Sequence, residues 1–236
     1  MIIASNVTKQ FGKLKALDNV SITCKKGECI ALIGPNGCGK TTFIKSVLGM
    51  VVPDSGKIQF LGEDIRSNYK YRDQIGYMPQ IGRYPDNMTI GQILDMMKDI
   101  RNKTTALDED LINAFSLHKL VDKRMRTLSG GTRQKISASL AFMFDPAVLI
   151  LDEPTAGLDP VSSELLKEKI ITEKEKGKLV LITSHVLSEL DDLVTQIIYM
   201  QDGKLLFQKS IAELKKETGQ EKLSKAIAWV MTNESL

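Results

Sequence analysis

The stretch Ile33-Gly34-Pro35-Asn36-Gly37-Cys38-Gly39-Lys40-Thr41-Thr42 decides how this chain is read. It follows the apolar run Cys29-Ile30-Ala31-Leu32-Ile33, which reads as a buried strand. It leads into Thr42 to Leu48, which reads as a helix ended by Gly49. Gly34, Gly39, Lys40 and Thr41 therefore match G-x-x-x-x-G-K-[ST] in the strand–loop–helix setting that gives the pattern its meaning. Glycines let the main chain wrap a phosphate with its N–H groups turned inward, and the helix N-terminus adds free donors and partial positive charge. Lys40 supplies a point charge for β- and γ-phosphates, and the Thr41 hydroxyl is a ligand for Mg²⁺. A plain glycine-rich turn with a solvated lysine is the bland alternative. Agreement between the pattern and both flanks sets it aside.

At 236 residues the chain has ample core-forming capacity. Apolar content of 42% and charged content of 26% are those of an ordinary globular protein. The net charge of +3 is small and no basic block stands out, so no nucleic-acid partner is expected. Sparse aromatic residues argue against a base-stacking platform for single strands. Cys24, Cys29 and Cys38 have no metal spacing and leave an odd thiol, which suits a reducing cytoplasm. The N-terminus lacks a charged leader and apolar run, so no signal peptide is expected. Apolar runs such as Ala147 to Leu151 are too short to span a bilayer.

Outward from the phosphate loop, residues 1 to 33 read as β-rich, with Phe11-Gly12 between the first two strands. Phe11 is a candidate stacking surface for a base. Arg72 to Met78 leads into a strand, and Gln80 just past its end can face a ligand crevice. Residues 84–144 change to helical character, with Thr89 as a cap and short amphipathic pieces over Leu107 to Phe115 and Leu117 to Met125. Met96, Met97 and Met143 read as core filler and His118 as a surface histidine. Ser129-Gly130-Gly131 opens a helix from Thr132 to Phe144, a second helix N-terminus suited to an anion. Val148 to Leu151 is a buried strand with Asp152 and Glu153 at its tip. Asp152 is read as binding Mg²⁺ through water, and Glu153 as orienting or deprotonating the attacking water. A helix from Val161 to Glu175, a strand from Lys178 to Thr183 with His185 at its tip, and a hairpin around Asp202-Gly203 follow. The C-terminal stretch, residues 209–236, reads as tail helices with Trp229 as the one large anchor.

Taken together, these pieces resemble the ATP-binding subunit of ABC transporters, from the N-terminus to about Phe207. Phe11, the loop Gly34 to Thr42, Gln80, Leu128-Ser129-Gly130-Gly131, Asp152-Glu153-Pro154, Leu158-Asp159 and His185 occur in the family's order. The resemblance implies an α/β P-loop NTPase fold of the ABC ATPase type: a mixed sheet core, an N-terminal antiparallel β part and an inserted helical subdomain. One such domain would occupy residues 1–236, with core and β part in 1–83 and 145–208. It implies that Phe11 stacks on adenine and that Gly34, Pro35, Asn36, Gly37, Cys38, Gly39, Lys40, Thr41 and Thr42 hold the phosphates. Ser129, Gly130 and Gly131 would form the signature, Gln80 would be the sensing loop and a Mg²⁺ ligand with Thr41 and Asp152. Glu153 would be the catalytic carboxylate and His185 the γ-phosphate switch. The cofactors implied are ATP and Mg²⁺. Thr132 stands where the family has Gln, Lys135 where Arg is frequent, and Phe11 where Tyr is usual. Cys38 takes the place of Ala or Ser, and its position at a helix N-terminus is expected to give a reactive thiol.

Two phosphate-type helix N-termini but one Asp-Glu pair at the tip of an apolar strand leave two arrangements: two nucleotides per chain, or one site completed by another chain. A head-to-tail pair of copies sharing two ATP sites about a two-fold axis is favoured. The resemblance further implies a separate integral membrane permease, with this chain cytoplasmic and peripheral on the inner membrane face. Gly157-Leu158-Asp159-Pro160 and the short tail look like exporter-type (ABC-2-like) ATPases. Residues 76–84 and 128–134 look similar to the subunit serving copper-site maturation of nitrous oxide reductase. The alternative is a soluble ABC-type ATPase in regulation or repair, against which stand the single domain and the absence of a coiled-coil insertion.

Overall fold

A run of consecutive apolar residues has no polar face to turn to solvent, so Cys29–Ile33 and the four apolar residues that lead to Asp152 in Val148–Asp152 are expected to be strands covered on both sides. The computed structural model, which describes residues 1–187 and 190–233, buries every residue of both. In chain order its elements are β1 (Ile2–Phe11), β2 (Leu14–Cys24), β3 (Cys29–Ile33), α1 (Lys40–Val47), β4 (Ser55–Phe60), β5 (Glu63–Asp64), β6 (Ile75–Met78), α2 (Ile90–Arg101), α3 (Asp110–Ala114), α4 (Gly130–Phe142), β7 (Val148–Asp152), α5 (Pro160–Glu175), β8 (Leu179–Thr183), β9 (Gln196–Gln201), β10 (Lys204–Ser210), α6 (Ile211–Thr218) and α7 (Leu223–Asn233). Two compact units emerge: Met1–Tyr71 with the chain from Leu181 onward, and Arg72–Val180.

In the first unit, β1 lies between β2 and β4 in an antiparallel sheet of order β2-β1-β4-β5. Ile2, Ala4 and Val7 turn to its buried face, and the shift in their spacing coincides with Asn6 in the left-handed conformation, φ 51°. Asparagine tolerates that conformation better than most residues. Phe11 closes β1 rather than lying in a loop. β3 and β9 pair in parallel, and β9 and β10 form an antiparallel hairpin through Asp202-Gly203, both at positive φ as a two-residue turn of this hand requires. Ser210 and Glu213 form a capping box that starts α6, and Gly219 in the left-handed region stops it. On α7 the buried face is Leu223, Ala226, Ile227 and Val230, spaced i, i+3, i+4, i+7. The Leu223 N–H donates to the Asp191 carboxylate at 3.1 Å. Trp229 falls off this stripe and is 40% exposed, so the tail is anchored by smaller aliphatic side chains and not by the tryptophan.

In the second unit, β6 and β7 pair in parallel with Met78 opposite Leu151. α4 lies so close on β6 that a Cβ on Gly76 would sit 1.9 Å from the Ala141 carbonyl oxygen. Thr89 caps α2 in a capping box with Gln92. The segment over Leu107 to Met125 forms only the short α3 and two 3-10 turns, because Ser116 at φ 53° interrupts it. Met143 is fully buried, Met96 and Met97 half-buried, and His118 exposed. Asp159 caps α5, its carboxylate accepting from Ser162 N–H at 3.0 Å, with Pro160 in the first turn. On the opposite end of α5, fully buried Glu173 is held by Lys169 at 3.1 Å, by Lys176 at 2.8 Å and by Lys178. Burial pushes the Glu173 carboxyl up, but the hydrogen bonds from Lys176, Lys178 and Lys169 outweigh it and bring it down to about 2. Among the described residues, no helix is long and apolar enough to cross a membrane.

Candidate functional site

The phosphate-loop residues lie in the first unit, between β3 and α1. Gly34 and Gly39 are glycines for a steric reason as well as a conformational one. At Gly34, φ is 146° and a Cβ would stand 2.0 Å from the Met200 carbonyl oxygen. At Gly39, φ is 109° and a Cβ would stand 2.4 Å from the Ala16 carbonyl oxygen. The loop rests on main chain elsewhere too: Gly203 N–H donates to the Cys38 carbonyl at 3.1 Å, and Asp18 N–H to the Gly203 carbonyl at 2.8 Å. α1 begins at Lys40, two residues before the expected start, because Gly39 is its N-cap and places Lys40 and Thr41 in the first turn.

Lys40 is buried, its ammonium donating to the carbonyl oxygens of Gly34 at 2.7 Å and Pro35 at 3.0 Å, with Cys38 Sγ at 3.7 Å. Pro35, Asn36, Gly37 and Thr41 are exposed along the loop, and Thr42 is half-buried. Cys38 points under the loop and is buried, which corrects the expectation of a reactive thiol: its sulfur packs where a side chain at Gly34 would have to go. Cys24 and Cys29 are buried as well and form no disulfide, and burial pushes Cys24 up to about 12. Phe11 is half exposed with the Lys9 ammonium 5.3 Å from its ring centroid. His185 follows β8 and is exposed.

The remaining residues lie in the second unit. Parallel register puts the residues after Met78 and those after Leu151 at the same sheet edge, so Gln80 and the Asp152-Glu153 pair share it. Gln80 is exposed, Asp152 buried and Glu153 half-buried. Burial and then the charge of Asp152 push the Tyr77 phenol up. Ser129 caps α4: its hydroxyl accepts from Thr132 N–H at 3.2 Å and pairs with the Thr132 hydroxyl at 2.9 Å. α4 thus starts at Gly130, and Gly130 and Gly131 supply first-turn N–H groups that no helix carbonyl can take. A Cβ on Gly131 would meet the Gly157 carbonyl oxygen at 2.8 Å.

Three contacts therefore bring the start of α4 onto the acid-bearing segment. Gly131 packs on Gly157, the Gln134 side-chain amide donates to the Glu153 carbonyl at 3.3 Å, and Lys135 pairs with Asp159 at 2.8 Å. That ion pair is the largest cause holding the Asp159 carboxyl well below its ordinary value, ahead of the hydrogen bonds from Ser162. Gln134 is a residue that sequence reasoning missed. Its partner is a backbone carbonyl 19 positions on, which no local pattern encodes.

Residues 17–156 match the family model described as ABC transporter. A Nod factor export ATP-binding protein I of Burkholderia lata is 34% identical over 207 residues, covering 84% of this chain and 67% of that protein. Human phospholipid-transporting ATPase ABCA3 is 36% identical over 220 residues, which cover 91% of this chain and 13% of that protein. A solved ATP-binding subunit of an ABC transporter has a TM-score of 0.90 and 24% identity, covering 98% of this chain and 99% of that one. A bacterial ABC transporter cassette solved as a dimer has a TM-score of 0.79 and 23% identity, covering 89% and 99%. The fold is that of a P-loop NTPase of the ABC ATPase type, with mixed sheets. The chain belongs to the ABC transporter family, as one of its ATP-binding, ATP-hydrolysing subunits.

Proposed function

We propose that the chain binds Mg-ATP between two copies of itself arranged head to tail, and that hydrolysis drives a separate membrane permease of exporter type. The observation that carries this reading is the phosphate loop, whose glycines Gly34 and Gly39 are pressed against main-chain oxygens so that neither position can carry a side chain. That cradle, with Lys40 beside it, fits a polyphosphate. Thr41, Asp152 and Gln80 each offer the kind of oxygen donor that suits Mg²⁺, a hard cation usually held by one or two carboxylates plus substrate phosphates. When bound, Mg²⁺ neutralises charge on the β- and γ-phosphates.

In this reading Lys40 and the N–H groups of Gly37 to Thr42 hold the phosphates, and Phe11 covers the base. Glu153 takes the proton of the attacking water and His185 contacts the γ-phosphate. Ser129, Gly130 and Gly131 grip the γ-phosphate of the nucleotide bound by the other copy, so ATP holds the pair closed and hydrolysis releases it. Residues 1–83 and 145–208 act as the nucleotide-binding core, 84–144 as a helical subdomain and 209–236 as a tail, with the chain held on the inner membrane face through its permease. A relative named for Nod factor export supports an exporter, and Gly157-Leu158-Asp159-Pro160 favours the ABC-2 type. Residues 76–84 and 128–134 favour, within that class, a permease serving copper or sulfur delivery to nitrous oxide reductase.

Size-exclusion chromatography of Glu153→Gln with saturating ATP and Mg²⁺ tests the dimer. A stable dimer is expected, and a monomer under those conditions overturns it. Co-purification of the chain from its own membranes tests the permease; recovery without a multi-span protein removes that part of the proposal.

A further inference from the structure

Glu153 has φ 51°, in the left-handed region, directly after the last residue of β7. A long side chain rarely adopts that backbone, and it persists where the surroundings over-determine it. Two hydrogen bonds to the Glu153 carbonyl do so. One comes from Ala156 N–H at 3.2 Å and closes the local turn. The other comes from Gln134 Nε2 at 3.3 Å, from the second turn of α4. Gln134 is 5% exposed, and the Lys135–Asp159 pair and the Gly131–Gly157 packing fix the helix on either side of it. Its amide is thus aimed at this one peptide.

We infer that Gln134 is a positioning residue for ATP hydrolysis: by holding the carbonyl of Glu153, it sets the peptide plane from which that carboxylate projects. This rests on Glu153 being the acid that takes the proton from water. The direction of Cβ follows from the backbone torsions, so a relaxed peptide swings the carboxylate away from its working place. A displacement of about 1 Å at a reacting group costs on the order of 100-fold in rate. A glutamine that merely satisfied a buried carbonyl would affect stability and leave turnover number and its pH dependence alone.

Steady-state ATPase kinetics on the full chain separate the two. Gln134→Leu keeps the bulk and removes the donor. Its kcat is expected to fall by about 10- to 100-fold while KM for ATP stays within about twofold. Gln134→Glu cannot donate as a carboxylate but can once protonated. Its rate relative to the unaltered chain is expected to rise as pH falls from about 8 to 5. An unchanged kcat in Gln134→Leu overturns the inference. Should that variant not fold, a flat pH ratio for Gln134→Glu overturns it instead. Glu153→Gln is measured alongside. If it retains turnover, the role of the acid fails; if it loses turnover while Gln134→Leu keeps it, the positioning role alone fails.

Discussion

The ammonium of Lys40 lies 2.7 Å from the carbonyl oxygen of Gly34, folded back over the loop that both residues build. A second carbonyl, that of Pro35, takes another of its three donors at 3.0 Å. The charge is therefore held in place by the main chain and has only to exchange carbonyl for phosphate oxygens when a nucleotide binds. Lys40→Ala removes the charge without disturbing an apolar core. ATP turnover is expected to fall by at least about 100-fold, as for loss of a preorganised donor at developing charge. The melting temperature should move by only a few degrees, on the order of 1 kcal/mol. A phosphate-release assay that finds unaltered turnover would refute the role given to the loop.

Acid should weaken the second unit through Glu173. Its folded value of about 2 lies below the ordinary 4.5, so the stability it contributes is present above 4.5 and is lost as pH falls toward 2. Removing Glu173 takes one counter-charge from a buried cluster in which Lys169 keeps Asp108 and Asp110 and Lys178 keeps Asp145, and Glu173→Gln is expected to cost on the order of 3 kcal/mol at neutral pH. Thermal melts between about pH 6 and pH 2 should show a shallower decline for the variant than for the unaltered chain. Parallel curves would remove Glu173 as the source.

The tail discriminates size from burial. Ile227 is 3% exposed and Trp229 is 40% exposed on the same helix. Ile227→Ala is expected to cost about 2–4 kcal/mol, and Trp229→Ala no more than about 1 kcal/mol. Amide hydrogen exchange over α7 checks the order, and a reversed ranking would reinstate the tryptophan as the anchor.

The phosphate loop was legible because its chemistry is local: glycine for shape, lysine for charge and threonine for a metal all fall within eight positions. Caps were legible for the same reason, as at Thr89 with Gln92 three residues on. The starts of α1 and α4 were read two residues late, because glycine is a poor helix former yet serves at the cap and first turn when a ligand needs N–H groups. The spacing of Leu223, Ala226, Ile227 and Val230 marks the buried stripe of α7, and Trp229, the largest side chain of the tail, falls outside it. Gln134 was out of reach altogether, since a side-chain bond to a distant carbonyl leaves no periodicity behind.

Carbonyl oxygens, not side chains, stand behind both glycines of the nucleotide cradle: Met200 behind Gly34 and Ala16 behind Gly39. An atom common to all twenty amino acids cannot be mutated away. Neighbouring positions are thereby free to drift in identity while the mould keeps its form, and only a bulkier residue at the two glycines themselves can spoil the cast.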